Sequence, residues 1–346
     1  GEVGPGSRGF SLGESELAIS ANIDPDWRGT AIMALASEGS VDMENAYFES
    51  LGLGNGLSFK GGRFFSGIGY LNSQHAHAWD FADAPLVYKA FLGGQLGDDG
   101  VQLRWLAPTD LLLEFGAEVG RGRTFPGADN NKNGVSQGAL FAHLGGDVGA
   151  SNAWRVGLSW LGSNPSERSY DDLDSTGANV TNTFSGKSRT WIADGIWKWA
   201  PEGNSTVTNF KLQGEYFRRK EDGTLASNSA LCGGCIDGYD SEQSGWYLQG
   251  VYQFMPRWRV GLRHDRLDSG TVNIGLVDSG LLAAADFPQL AAHDPKRNTA
   301  MLDYSPSEFT RFRLQWARDE SGLGATDDQV FLQYIFSLGT HGAHMF

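Results

Sequence analysis

His75 and His77, followed by Asp80 and Asp83, carry the donor types of a transition-metal site. Zinc and copper take imidazole and carboxylate ligands. On an extended segment residues 75 and 77 face the same side, so both rings could reach one ion, and loop folding could add Asp80. The same side chains could instead hydrogen-bond a loop to a wall. His341 and His344 make a second such pair near the C-terminus. Cys232 and Cys235 lie in a Cys-Gly-Gly-Cys stretch. Without a βαβ setting around them, thioredoxin-like redox chemistry has no support. In an oxidising location they would close a small disulfide, and a metal site shared with another chain is the alternative. Asp129-Asn130-Asn131-Lys132-Asn133-Gly134 matches the first half of a calcium loop, but the twelfth position is Leu140 where a Glu is needed. A turn-rich surface loop is the simpler reading, and Asp171, Asp172 and Asp174 form a second acidic loop of the same kind. No resident cofactor is expected. Calcium and zinc are the ions for which donors exist. No Gly-x-Ser-x-Gly elbow, phosphate loop or His-Glu-x-x-His motif occurs, so no enzyme is expected.

The elements that must position these residues alternate at period two. Leu111, Leu113, Phe115, Ala117 and Val119 fall on one face, with Leu112, Glu114, Gly116 and Glu118 on the other. Trp154, Val156, Leu158 and Trp160 alternate with Arg155, Gly157 and Ser159. Near the end, Val330, Leu332, Tyr334, Phe336 and Leu338 alternate with more polar neighbours. These are strand patterns. Fifteen such segments can be placed: 15–23, 26–36, 41–52, 57–70, 99–107, 110–121, 137–147, 153–162, 188–199, 206–219, 244–254, 258–268, 298–305, 309–318 and 327–338. No segment shows a 3.6-residue apolar stripe of helical length.

Connector lengths alternate too. Short turns such as Asp24-Pro25, Gly54-Asn55-Gly56 and Met255-Pro256 interleave with long loops, among them 71–98, 122–136, 163–187, 220–243 and 269–297. Short turns at one end and long loops at the other are the layout of a bacterial outer-membrane barrel. The chain therefore reads as all-β, one transmembrane antiparallel barrel spanning 1–346, with 71–98 as a pore-constricting loop. Such barrels have even strand numbers. Fifteen segments are read, so a sixteenth strand is expected at the N-terminal side, from residues 1–13 or from an upstream segment. The terminal Phe346 resembles an outer-membrane sorting signal.

Composition agrees. Of 346 residues 48 are Gly and 11 Pro, too irregular for collagen, and the 40% hydrophobic content is too high for a disordered chain. Mean hydropathy is −0.32, as expected where half of each strand is polar. Acidic residues exceed basic ones by 41 to 27, and no basic stripe stands out, so a nucleic-acid partner is not expected.

The two faces differ in kind. Trp27, Trp154, Trp160, Trp191, Trp197, Trp199, Trp246, Trp258 and Trp316, with Tyr216, Tyr252, Tyr304 and Tyr334, fall on the outward face, many near strand ends. That is where rings with polar tips form two girdles against outer-membrane lipid. The inward face carries Arg28, Arg104, Arg155, Lys211, Arg259, Arg263, Arg311 and Arg313 beside Glu16, Glu114, Glu118, Asp194, Glu215, Asp265 and Asp303. Charges this dense resist dry burial and fit a water-filled lumen. Arg259, Arg263, Arg311 and Arg313 would make a basic wall facing Asp80 and Asp83. The alternative is a barrel stuffed with salt bridges.

The stretch from Gly62 to Pro108, with Gly62-Arg63-Phe64, the loop, and Asp98-Asp99-Gly100-Val101-Gln102-Leu103-Arg104-Trp105, resembles Gram-negative porins of the phosphate- and carbohydrate-porin type. It looks closer still to proteins labelled zinc-regulated outer-membrane receptors. The resemblance is specific over about residues 1–160 and is barrel pattern beyond. It implies a third long-side loop folded into the pore, and trimeric assembly. A 22-stranded energy-coupled transporter would need a longer chain. The lysine-rich selectivity of the phosphate porins is not evident, since the inward cations here are mostly Arg. The expected function is passive diffusion of small hydrophilic solutes or ions across the outer membrane. A zinc- or copper-linked channel and a barrel enclosing a partner protein are the rivals.

Overall fold

The computed structural model describes residues 8–13, 15–35, 39–131 and 134–339. They form one antiparallel sheet of sixteen strands. The first eight are β1 (Ser15–Asn22), β2 (Trp27–Leu35), β3 (Val41–Ser50), β4 (Leu57–Phe65), β5 (Gly97–Leu106), β6 (Leu112–Gly120), β7 (Gln137–Val148) and β8 (Asn152–Ser163). The rest are β9 (Arg168–Leu173), β10 (Asn179–Trp199), β11 (Asn209–Ser227), β12 (Cys235–Met255), β13 (Trp258–Ile274), β14 (Lys296–Ser307), β15 (Thr310–Glu320) and β16 (Asp327–Phe336). Each strand pairs with the next in sequence, except that β8 pairs with β10 and β9 pairs only with β10.

All fifteen segments read from the sequence are strands, and β9 is the strand the reading missed. It forms because β10 outruns its neighbour. Ser163, the end of β8, sits opposite Ser188, so residues 179–184 of β10 project beyond β8 and take β9 as partner. Residues 8–13 hold no strand, and residues 1–7 lie outside the described residues. Arg8 reaches Asp327 at the head of β16, 3.4 Å away.

The outward face carries the aromatic side chains in cross-strand pairs. Trp160 sits opposite Trp191, and Tyr216 opposite Trp246. Six residues nearer the short turns, Trp154 sits opposite Trp197. At ~3.3 Å per residue the two levels are about 20 Å apart, close to the height of an outer-membrane apolar band. Between them Val156, Leu158 and Leu248 are exposed. Among the described residues no helix is long and apolar enough to cross a membrane.

The buried core is inside the curl of the sheet. Residues 66–96, between β4 and β5, carry Ile68, Leu71, Trp79, Leu86, Val87, Tyr88, Phe91, Leu92 and Leu96, which pack on Phe141, Leu161, Ile192, Phe217, Tyr247 and Leu267 of β7 to β13. This inner segment also bonds side chains of β1, β3, β6, β14 and β15. One segment can touch all these strands only if the sheet curls round it as a barrel wall. A second small core, with Phe184, Leu225, Tyr239, Leu276, Leu282 and Phe287, lies on the long-loop side, where β10 to β13 overreach.

Candidate functional site

The inner loop begins where β4 loses its ladder. Ser66 N–H bonds Leu96 carbonyl at 3.0 Å and closes the neck. Beyond it the main chain turns to acids of the wall. Gly67 N–H donates to Glu118 at 2.8 Å, and Gly69 N–H to Ser159 at 3.1 Å. Tyr70 and Leu71 N–H groups both donate to Glu215 at 3.1 Å. Glu215 also accepts the hydroxyls of Tyr88, at 2.9 Å, and Tyr247, at 2.7 Å. A loop that leaves a sheet strands its amides, and this wall supplies acceptors one by one. Gly69 takes a left-handed φ of 65° against Glu215, where a Cβ would strike the carboxylate. The loop therefore runs from 66 to 96, slightly offset from the expected 71–98.

The loop contains a helix the sequence reading did not expect, α1 (Leu86–Leu92). Its signals were present: Pro85 before the first turn and Gly93-Gly94 after the last. Gly93 is left-handed, at φ 68°, and ends the helix. At the other end Asp265 of β13 accepts Leu86 N–H at 2.9 Å. Its apolar residues point several ways, which is why no single stripe shows: the helix is enclosed by the barrel.

Asp80 and Asp83 meet cations of β11 to β15. Asp80 pairs with Lys211 and, at 3.2 Å, with Arg259. Asp83 pairs with Arg263 at 2.9 Å and Arg297 at 2.5 Å. Arg313 and Arg311 donate to Trp79 carbonyl at 2.9 and 3.3 Å, and Arg297 to Ala84 carbonyl at 2.8 Å. Burial pushes both loop carboxyls up, but the surrounding guanidinium and ammonium groups outweigh it and hold both well below the usual carboxylate range.

The expectation that such charges stay wet is corrected here. Arg263, Asp265, Arg297, Asp303 and Arg313 are each no more than 3% exposed. Each is paired: Arg263 with Asp265, and Arg313 with Asp303, both at 2.9 Å. Loop carbonyls take further donors. Arg263 and Arg313 therefore seal against the loop and do not line water. Arg28, Arg104, Glu114, Arg155, Lys211, Arg259 and Arg311 keep some exposure on the same inward parity, nearer the short-turn end. Lys60 and Lys198, both missed in the sequence, join them; Lys198 sits directly opposite Lys211. Below the loop, Lys198, Lys211, Arg259, Asp147 and the short turns at 149–153 and 199–205 line a cavity of about 640 Å³.

His77 lies within a 3-10 turn, Ala76–Ala78, and His75 is the extended residue just before it, so the two do not share one extended segment. Their rings stack with centroids 5.8 Å apart. Asp80 points away to Lys211 and Arg259, so it does not join them. Their partners are instead Glu16 of β1 and Glu44 of β3. Glu44 escaped the sequence reading because only the fold brings β3 to the loop. Burial pushes the His75 pKa down, and the two carboxylates outweigh that and lift it to about 9.

Cys232 and Cys235 are joined as a disulfide at the β11–β12 tip. Asn131 spends its side chain on turn bonds to Gly122 and Asn164 carbonyls and Ser166 N–H, so it is no free calcium donor; 132 and 133 lie outside the described residues. Asp174 is likewise used up on Thr176 and Ala178 of its own turn. His341 and His344 lie outside the described residues.

A curled antiparallel sheet, apolar outside and charged inside, with a loop folded into it, has the architecture of an outer-membrane β-barrel. Comparison with solved structures agrees on the fold. OmpT, an outer membrane protein of Vibrio cholerae, superposes with a TM-score of 0.54 at 11% identity, covering 89% of this chain and 79% of that one. Pseudomonas putida OprB gives 0.54 at 13%, covering 92% and 86%. The outer membrane channel DcaP of Acinetobacter baumannii gives 0.53 at 13%, covering 95% and 86%. No protein-family model matches the chain. An uncharacterised protein of Aquifex aeolicus strain VF5 is 30% identical over 358 aligned residues, covering 98% of this chain and 70% of that protein. The chain belongs to the family of that Aquifex protein.

Proposed function

We propose that this protein is an outer-membrane channel through which small hydrophilic solutes or ions diffuse, with the 66–96 loop setting the width of the path. The observation that carries this reading is the loop itself, pinned inside the barrel by Asp80, Asp83 and the carbonyls of Trp79 and Ala84. The loop packs on the β7–β15 side of the lumen and touches β1, β3 and β6 across it. The path is left to the short-turn end, where Arg28, Lys60, Arg104 and Glu114 keep contact with solvent, and to the cavity beneath the loop.

Rings of one charge set selectivity in such pores. The net charge of −14 points to cations, but the accessible inward charges do not. Arg28, Lys60, Arg104, Arg155, Lys198, Lys211, Arg259 and Arg311 outnumber Glu49, Glu114 and Asp147 at the short-turn end. Small anions are therefore the favoured solutes. Assembly as a trimer is part of this proposal: one form of Vibrio cholerae OmpT is described as a trimer.

The test is conductance of the refolded chain in a planar bilayer under a salt gradient. Stable ohmic steps with an anion-selective reversal potential support the reading. A folded barrel that never conducts refutes it and favours a barrel that encloses a partner.

A further inference from the structure

We propose that Glu16, Glu44, His75 and His77 form a binding site for one divalent first-row transition-metal ion, with zinc as the reference ion. The site goes beyond the channel reading: it would staple the inner loop to β1 and β3, across the lumen from the arginine anchors.

The donor atoms come from three separate parts of the chain and converge. One oxygen of Glu16, one of Glu44 and Nδ1 of His75 all lie within 4.8 Å of one another. Nδ1 of His75 is 3.3 Å from Glu16 Oε1 and 3.3 Å from Glu44 Oε2. Nδ1 of His77 is 3.3 Å from the same Glu16 oxygen, and it stands at the edge of that three-donor cluster rather than inside it. Ligands bound at about 2.0–2.1 Å to a tetrahedral ion stand about 3.3 Å apart. The spacing is thus that of a coordination edge, and it is long for a charge-assisted hydrogen bond, about 2.7–2.9 Å.

Hydrogen bonding occupies His77 Nδ1 and Glu16 Oε1, 3.3 Å apart, and leaves the other two donors unspent. His75 Nδ1 and Glu44 Oε2 are buried atoms with no aligned hydrogen-bond partner. Buried polar atoms without partners call for a ligand, water or ion. Two carboxylates also call for positive charge. A proton on His75 supplies one unit, and a divalent ion supplies two. Imidazole donors favour zinc, copper or nickel over calcium and magnesium.

The surroundings suit a metal ligand. Nε2 of His75 lies 3.1 Å from the Asn45 amide, and Phe65 packs edge-on against the ring at 5.2 Å, which together aim Nδ1 at the carboxylates. Metal at Nδ1 places a proton on Nε2, so the Asn45 amide must turn over to accept it and give up the Phe65 N–H that its Oδ1 takes at 3.2 Å. His77 is about half exposed, at 47%, and provides the way in.

The test uses the full chain, refolded in detergent, stripped with a chelator and titrated with zinc against a chromophoric zinc indicator. Heat-modifiable migration checks that each variant is folded. One zinc per chain is expected. Affinity falls at least about tenfold in His75→Ala plus His77→Ala, and also in Glu44→Gln, which keeps the side-chain shape. X-ray absorption of the loaded protein shows nitrogen and oxygen donors with imidazole scattering. No zinc bound by folded protein, or unchanged affinity in the folded double variant, overturns the site.

Discussion

Arg263 of β13 grips Asp83 of the inner loop twice, one N–H reaching its carboxylate at 2.9 Å and another its own main-chain carbonyl at 2.8 Å. A side chain fixed at both its charge and its backbone cannot swing aside. Arg297 holds the other carboxylate oxygen, and Gln315 adds a third donor at 2.9 Å. The loop is therefore a built part of the barrel.

Breaking that grip should be expensive. Asp83→Asn leaves Arg263 and Arg297 buried with less opposing charge, a loss of roughly 3–5 kcal/mol for a broken buried pair. Thermal unfolding of the variant should shift down. Lys296→Gln, whose Lys is exposed and pairs with Glu320, should change it by less than about 1 kcal/mol.

Acid should release the loop only late. Burial raises the Asp80 and Asp83 carboxyls, but their cations win and hold both below the ordinary range. The partners are Lys211, Arg259 and Arg311 for Asp80, and Arg263, Arg297 and Lys89 for Asp83. A depressed folded value gives stability that is complete above the unfolded pKa and drains away as pH falls through the folded one. Channel conductance should stay flat in this respect down to about pH 4 and rise only below it. A release midpoint near pH 6 would mean these carboxylates do not hold the loop.

The apolar contact between loop and wall should matter as much as the charges. Phe217 is fully buried against Tyr88, at 5.3 Å between ring centroids, and Phe91, at 6.1 Å. Phe217→Ala should cost roughly 3–5 kcal/mol through the cavity it leaves. Proteolysis between residues 66 and 96 reads the loss: cleavage should be fast in the variant and slow in the parent.

Selectivity should follow the accessible cations. Lys198→Glu places an acid opposite Lys211 in the cavity under the loop. The reversal potential under a salt gradient should move toward cations, with little change in conductance at high salt, where screening is strong. An unmoved potential would put the selective charges elsewhere.

The barrel was legible because alternation repeats the same instruction in every strand. Trp154 to Trp160 and Val330 to Leu338 each state their two faces without help from neighbours. The loop was legible as a position but not as a shape. Its helix has only seven residues, buried on most sides with Lys89 and Ala90 less so, and is too short to show the stripe that marks a surface helix. Glu44 could not be matched to His75 from sequence, since 31 positions and the whole of β4 separate them. Arg263 and Arg313 had the right parity, but parity says inward and cannot say wet or dry. The strand β9 escaped because it exists only where β10 overreaches β8.

The central claim is that the loop, held by Asp80 and Asp83, sets the width of an open path. The most direct measurement is single-channel conductance of the parent chain against Asp80→Asn plus Asp83→Asn, both shown to be folded. Small, stable steps are expected in the parent and clearly larger, noisier ones in the double variant. Equal conductance in the two, or none in either, would contradict it.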